Sequence, residues 1–227
     1  MKHGKRYNEL RTSFDDNKVY ELTEAITLVK KTSNTKFDST IEVHVRLGVD
    51  PKKSDQQVRT TANLPHGTGK KKRIAAFVSS PEHEKDAKDA GAEMVGGEEL
   101  VAEIVKTGKC DFDVAIASPD MMPKLAKVAK ILGPRGLMPS PKNDTVTQNV
   151  GQAVKDMRGG KIAFKCDDTA NVHQAIGKAS FSDEQLIENF TAFLESLKRA
   201  KPSTSKGTYI KSVVLASTMG PGVKVAA

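Results

Sequence analysis

The sequence predicts an α/β protein of two domains, one of them assembled from both ends of the chain. Three observations predict it. A strand-like stretch close to the C-terminus, Thr208 to Ala216, finds its nearest match in character at Thr40 to Leu47, so the two ends should share a sheet. Between them, short apolar runs alternate with amphipathic stretches, the pattern of a doubly wound parallel sheet. Glycine-rich junctions, Pro65-His66-Gly67-Thr68-Gly69 and Arg158-Gly159-Gly160, stand where the chain would pass from one domain to the other. The expected boundaries are 1–67 with 160–227 for the discontinuous domain and 68–159 for the insert.

The elements follow in order. Residues 1–19 are polar and mixed in charge, an exposed arm or a frayed helix. Glu21 to Lys31 puts Leu22, Ile26 and Val29 on one helical face, with Thr23 as a candidate cap. Ile41, Val43, Val45 and Leu47 then alternate with Glu42, His44 and Arg46, a half-buried strand, and Gln57 to Leu64 reads as a second. In the insert, Ile74–Val78, Ala92–Val95 and Phe112–Ala117 read as strands. Glu82–Ala90, Glu98–Lys106, Asp120–Leu132 and Thr145–Met157 read as helices, and Gly133–Lys142 as a Gly/Pro-rich loop. Lys161–Cys166 and Asn171–Lys178 read as a hairpin around Asp167-Asp168-Thr169-Ala170. Ser182 with Gln185 makes a capping box, opening a helix with Leu186, Phe190, Phe193, Leu194 and Leu197 inward that Pro202 stops.

Bulk properties narrow the function. The chain has 227 residues, 37% hydrophobic and 28% charged, a globular composition large enough for two modest domains. No apolar run is long enough for a bilayer and no apolar signal segment follows the first residues, so no membrane partner is expected. Two cysteines, Cys110 and Cys166, with no CxxC pair point to a reduced, cytoplasmic setting. Of the net charge of +8, residues 68–159 carry 15 basic and 13 acidic groups and the two ends carry 21 and 15. The excess therefore sits on the ends and on Lys70-Lys71-Lys72-Arg73 at the junction, a distribution that attracts polyanions.

Chemical motifs are weak by comparison. His66-Gly67-Thr68-Gly69-Lys70 fails as a phosphate loop, because Leu64 stands where a glycine is needed and Lys71 where a hydroxyl is needed, and it precedes a strand. The first strand of the insert leads into Ser79-Ser80-Pro81-Glu82, with no glycine fingerprint for a dinucleotide. The histidines show no metal-ligand spacing, and no nucleophile elbow occurs. No catalytic residue, metal, cofactor or small-molecule substrate is expected, and the protein reads as no enzyme. Ser217, Thr218, Met219, Gly220, Pro221 and Gly222 instead offer hydroxyls, an adaptable apolar group and close backbone approach, a mix suited to a sugar-phosphate partner; a plain turn with Met219 in the core is the bland alternative. Leu132 to Lys142 is either a shaped contact tip or a rigid connector.

Several segments resemble the bacterial large-subunit ribosomal protein L one family. They are Lys36-Phe37-Asp38 with Thr40-Ile41-Glu42, Leu47 to Pro51, Leu64 to Lys70, Leu132 to Pro139, Gly177-Lys178 and Ser217 to Gly222, nearly end to end. The resemblance implies a discontinuous two-layer α+β RNA-binding domain and an inserted Rossmann-like three-layer α/β domain. It implies binding to large-subunit (23S-type) rRNA at the mobile stalk, assistance to tRNA leaving the exit site, and repression of its own operon by binding the messenger. Carried over, the RNA-binding positions are Lys36, Phe37, Thr40, Glu42, Thr218, Met219 and Gly220, with Lys165, Thr169, Lys178 and Ser217 as secondary candidates. Gly67, Gly69, Gly159 and Gly160 are the expected hinge. The chain departs from the family pattern at Ser39, where an acid is usual, at Asp168-Thr169-Ala170 in the hairpin turn, and at Ala175, where proline is usual. Two other classes compete: a nucleotide-dependent enzyme on the insert, which labelled nucleotide would reveal, and a general polyanion binder, which unrelated RNA would displace.

Overall fold

The computed structural model describes residues 4–226, so His3 and the chain ends 1–3 and 227 lie outside it. The chain is a mixed α/β protein with two compact units, Met1–Gly69 with Ile162–Ala227 and Lys70–Lys161.

The first unit contains helices α1 (Lys5–Arg11) and α2 (Leu22–Thr32) and strands β1 (Thr40–Leu47) and β2 (Arg59–Asn63) from one chain end. The elements β6 (Lys161–Lys165), β7 (Asn171–Lys178), α8 (Asp183–Arg199), β8 (Ile210–Ser217) and β9 (Gly222–Val225) come from the other. Four antiparallel strands form one sheet in the order β7-β1-β8-β9. The alternation in β1 buries Ile41, Val43, Val45 and Leu47 on one face, and α2 and α8 cover that face. Phe164 and Phe193 meet edge to face at 5.1 Å in the same core. Helix α8 is capped as its sequence demands: Ser182 accepts from the Gln185 N–H at 3.2 Å and Gln185 accepts from the Ser182 N–H at 3.1 Å.

Two expectations in this unit need correction. Thr23 is not a cap; α2 starts after Glu21, with no side-chain cap bond. β6 and β7 do not form a hairpin sheet, because β6 pairs with β2 and β7 with β1. A single bridge, Cys166 to Val172, joins them. Alternation within each run gave the strand type, but period-2 patterning says nothing about the partner.

The second unit has a parallel sheet of β3 (Ile74–Phe77), β4 (Met94–Gly96) and β5 (Val114–Ala117), in the order β4-β3-β5. All four residues of β3 are buried, as a strand covered on both faces requires. Helices α3 (Pro81–Asp89) and α7 (Val150–Gly159) pack with Ile74, Ala76 and Ile116 on one face. Helices α4 (Glu98–Thr107), α5 (Met122–Leu125) and α6 (Ala129–Leu132) pack with Ala75, Phe77 and Ala115 on the other. The helix expected over Asp120–Leu132 is broken: 3₁₀ turns at Pro119–Met121 and Ala126–Val128 alternate with α5 and α6. The helix expected from Thr145 begins only at Val150, because Thr145 and Thr147 pair with Ala117 instead, through bonds of 2.9 and 3.2 Å. β-branched residues at 145–147 favour that extended path.

Candidate nucleic-acid interface

The chain ends meet at one corner of the four-stranded sheet. Ile41 of β1 stands opposite Ser217 of β8, and Thr40 stands opposite Lys178 of β7. Just past β8, the Thr218 N–H donates to the Thr40 carbonyl at 2.9 Å. The Thr218 hydroxyl accepts from the Thr40 N–H at 3.1 Å and donates to its carbonyl at 3.2 Å. From the other side, the Lys178 ammonium donates to Thr40 Oγ1 at 2.9 Å. Thr40 is thus held by both neighbouring strands.

The loop before β1 is fixed from below. The Asp38 carboxylate accepts from the Ser180 N–H at 3.2 Å and its hydroxyl at 2.9 Å. Ser39 is fully buried, shares a hydroxyl–hydroxyl bond with Ser33 and accepts from the Ala179 N–H at 2.9 Å. The neutral side chain is thus satisfied without a charge. The Thr35 hydroxyl donates to the Phe37 carbonyl at 2.8 Å. Above these anchors Lys36 is exposed, and Phe37 stays 56% exposed despite its apolar ring.

The turn after β8 closes through Gly220 N–H donating to the Ser217 carbonyl at 2.8 Å. Met219 takes a φ of 65°, unusual for a residue with a Cβ, and leaves its side chain 69% exposed. Met219 is therefore not a core residue. A Cβ at Gly220 would lie 2.2 Å from Ser217 Oγ, so any larger residue there makes the Ser217 hydroxyl shift. Ser217 points to the buried face beside Ile41, and its hydroxyl has no hydrogen-bond partner.

Arg6, in α1 within the stretch expected to be an exposed arm or a frayed helix, ties both loops together. Its guanidinium donates to the Asn34 carbonyl at 2.8 Å and the Met219 carbonyl at 3.2 Å. No periodicity announces a contact that spans 213 residues.

The outer face of the sheet continues from this corner. Glu42 stands between Ala175 and Ala216, whose small side chains leave its carboxylate half-exposed. His44 faces His173 across the β1–β7 pair. At the far end, Arg46 stands opposite Asn171, where β7 begins. There Thr169 donates its hydroxyl to Asp167 at 2.7 Å and accepts from the Asn171 amide at 2.7 Å. The Asn171 N–H, foremost among the donors that converge on Asp167, holds its carboxyl down at about 2. Ala170 in this turn has φ 65°.

The structure therefore gathers Thr40, Lys178, Ser217, Thr218, Met219 and Gly220 at one corner with Lys36 and Phe37 on the loop that enters it, and Glu42 one pair further along. Thr169 lies at the opposite end of β7, roughly 20 Å away at 3.3 Å per strand residue. Lys165 is exposed on β6, in the other sheet.

Among the expected hinge glycines, Gly67, Gly69 and Gly160 have positive φ, at 63°, 73° and 119°. Gly159 is the last residue of α7. Gly67 is held within the first unit, since its carbonyl accepts from the buried Asn189 amide at 2.9 Å.

In the second unit a cleft of about 310 Å³ is lined by Val101, Ala102 and Val105 with Glu98, Lys106, Lys124 and Lys127. It pairs no nucleophile with a base. Among the described residues no three His, Cys, Asp or Glu side chains converge as a metal set, and no helix is long and apolar enough to cross a membrane.

Known proteins are similar to this sequence over nearly its whole length. The Ribosomal protein L1p/L10e family matches residues 29–221. The large ribosomal subunit protein uL1 of Salinispora tropica is 53% identical over 225 residues, covering 99% of this chain and 94% of the relative. The uL1 of Thermosipho melanesiensis is 52% identical over 224 residues, covering 99% and 96%. The uL1 of a Mycobacterium species is 52% identical over 224 residues, covering 99% and 94%.

Proposed function

Because the chain belongs to the Ribosomal protein L1p/L10e family, we propose that it binds large-subunit (23S-type) rRNA at the mobile stalk through the corner where its two ends meet. Membership makes it an RNA-binding protein of the large ribosomal subunit, cytoplasmic on the ribosome, and not an enzyme. The finer roles are part of the proposal: helping tRNA leave the exit site, and repressing its own operon by binding the messenger. So is the division of labour, with 1–67 and 160–227 holding RNA and 68–159 a Rossmann-like insert that moves about Gly67, Gly69, Gly159 and Gly160.

The observation that carries the reading is the exposure of Phe37 and Met219 at 56% and 69% on loops tied by hydrogen bonds, from Ser180 to Asp38 and from Arg6 to the Met219 carbonyl. Rigid apolar surface beside Lys36, Lys178 and the Thr40 hydroxyl suits RNA: flat groups for bases and sugars, ammonium groups for phosphate, a hydroxyl for the 2′-OH. Glu42 adds an acceptor for base amino groups or 2′-OH donors. The test is binding of the full chain to a stalk rRNA fragment, its operon messenger and an unrelated RNA at moderate salt. The two specific RNAs should compete for one site, and Phe37→Ala or Met219→Ala should weaken both more than the unrelated RNA. Equal loss on all three would reduce the corner to a general polyanion surface.

A further inference from the structure

On the outer face of the sheet, His44 of β1 and His173 of β7 stand directly opposite each other. Their Nδ1 atoms approach to 2.8 Å, with ring centroids 5.0 Å apart. The opposite nitrogen of each ring looks toward a carboxylate. His173 Nε2 lies 3.4 Å from Asp167 Oδ2, and His44 Nε2 lies 3.9 Å from Glu42 Oε2. A histidine that ligates a metal usually gives its other ring N–H to a carboxylate, which fixes the tautomer and strengthens the donor nitrogen. Here His173 has that arrangement, Glu42 stands within 3.9 Å of the corresponding nitrogen of His44, and the two Nδ1 atoms face each other.

We infer that His44 and His173 form a cross-strand bis-imidazole site for a borderline divalent cation such as Zn²⁺, with Asp167 and Glu42 as the carboxylates behind the ligands. The proton count supports it. In the metal-free pair, the Asp167 contact keeps the His173 proton on Nε2, so His173 Nδ1 accepts and His44 Nδ1–H donates. Binding needs only that the His44 proton move to Nε2, toward Glu42; no proton need leave the neutral pair. Two zinc–nitrogen bonds of about 2.0–2.1 Å at a tetrahedral angle set the nitrogens about 3.4 Å apart, slightly wider than the present gap. Both side chains are partly exposed, at 32% and 53%, so small ring rotations are free to open it. The remaining positions would go to water or to a phosphate oxygen, since no third protein ligand converges among the described residues. Linear spacing hides the site, because 129 residues separate the rings and only strand register unites them.

The experiment needs no RNA, so it stands or falls apart from the function proposed above. The full chain is stripped with chelator and titrated with ZnCl₂ at pH 7.5, with heat and long-range ¹H–¹⁵N histidine spectra as readouts. The site predicts that the Nδ1 signals of His44 and His173 shift together. It also predicts that His44→Ala and His173→Ala each weaken binding at least about tenfold, while His83→Ala does not. Zinc binding that survives both substitutions, or Nδ1 signals that respond to pH but not to zinc, would overturn it and leave a proton-sharing pair.

Discussion

The hydroxyl of Thr218 hydrogen-bonds to both the N–H and the carbonyl of Thr40, at 3.1 and 3.2 Å, across 178 residues of sequence. It seals the sheet at the corner proposed to meet RNA, so its role is structural before it is anything else. Thr218→Val keeps the shape and removes both bonds, which should cost about 1–2 kcal/mol. Thr218→Ser should restore most of that. Thermal melting with RNA affinity checks this: Val should lower both and Ser neither. A Val variant that melts like wild type but binds poorly would mean the hydroxyl reaches RNA directly.

Lys36 and Lys178 are set apart from Lys165 by their place at the corner. Lys36→Ala and Lys178→Ala should each lower the slope of log affinity against log salt by about one unit, the mark of a lost phosphate contact. Lys178→Ala should also loosen Thr40, whose hydroxyl it binds at 2.9 Å. Lys165→Ala, on the other sheet, should leave stalk-RNA binding nearly unchanged. If Lys165 matters as much as Lys36, the RNA reaches beyond the four-stranded sheet to β6.

Gly220 and Ser217 form a coupled pair. A Cβ at Gly220 would sit 2.2 Å from Ser217 Oγ, and that hydroxyl is buried without a partner. Gly220→Ala should therefore destabilise by about 1–3 kcal/mol, as overpacking does. Ser217→Ala alone should be neutral or mildly stabilising, since it removes an unsatisfied polar atom. Together they should cost less than the sum. Denaturant midpoints of the three variants decide this, and simple additivity would count against the clash.

Acid sensitivity should have two sources, one on β1 and one in the turn that precedes β7. The Asp167 carboxyl, at about 2 in the folded chain, is near 3.9 when unfolded. The folded state then binds fewer protons between those values. Its contribution is complete above about pH 4 and is lost as pH falls through 2. His44 is also lowered when folded, so its contribution is complete above about pH 6.5 and is lost as pH falls below that. Asp167→Asn should flatten the lower part of a stability-pH curve and His44→Gln the upper part. Unchanged curves would refute both assignments.

The strands and the capped helix were legible in the sequence because each is written locally. Ile41 to Leu47 alternates, and Ser182 with Gln185 needs only four residues. What was not legible depends on register or on chain-distant contact. β6 joined β2 rather than β7, and His44 met His173, because alternation fixes a strand's face but not its neighbour. Thr145 to Thr147 looked helical in continuity with Val150, yet pairing with Ala117 outweighed it. At the corner the motif residues were found from resemblance, whereas Arg6 and the Asp38–Ser180 anchor emerged only from geometry.

Asn189 offers the sharpest test of how the first unit is held. It lies on α8 with no exposed surface, and its amide serves three backbone groups. Oδ1 accepts from the His66 N–H at 3.1 Å, and Nδ2 donates to the carbonyls of Gly67 at 2.9 Å and Ile176 at 2.7 Å. One side chain thus ties α8 to β7 and to the segment that follows β2. The bonds need one acceptor and two donors on a short arm, which only an amide supplies. Asn189→Leu keeps the volume but leaves three backbone groups unpaired, at about 1–3 kcal/mol for each buried one. Asn189→Asp should be worse, because it turns a donor toward two carbonyls into an acceptor and buries a charge. His66→Ala, by contrast, removes only the half-exposed ring contact with Glu188 and should cost about 1 kcal/mol or less. Chemical unfolding should rank the variants His66→Ala, Asn189→Leu, Asn189→Asp in order of increasing loss. Hydrogen exchange at the His66 and Gly67 amides should accelerate in the Asn189 variants only. Equal midpoints for His66→Ala and Asn189→Leu would show that apolar packing of α8, not this amide, fixes the segment.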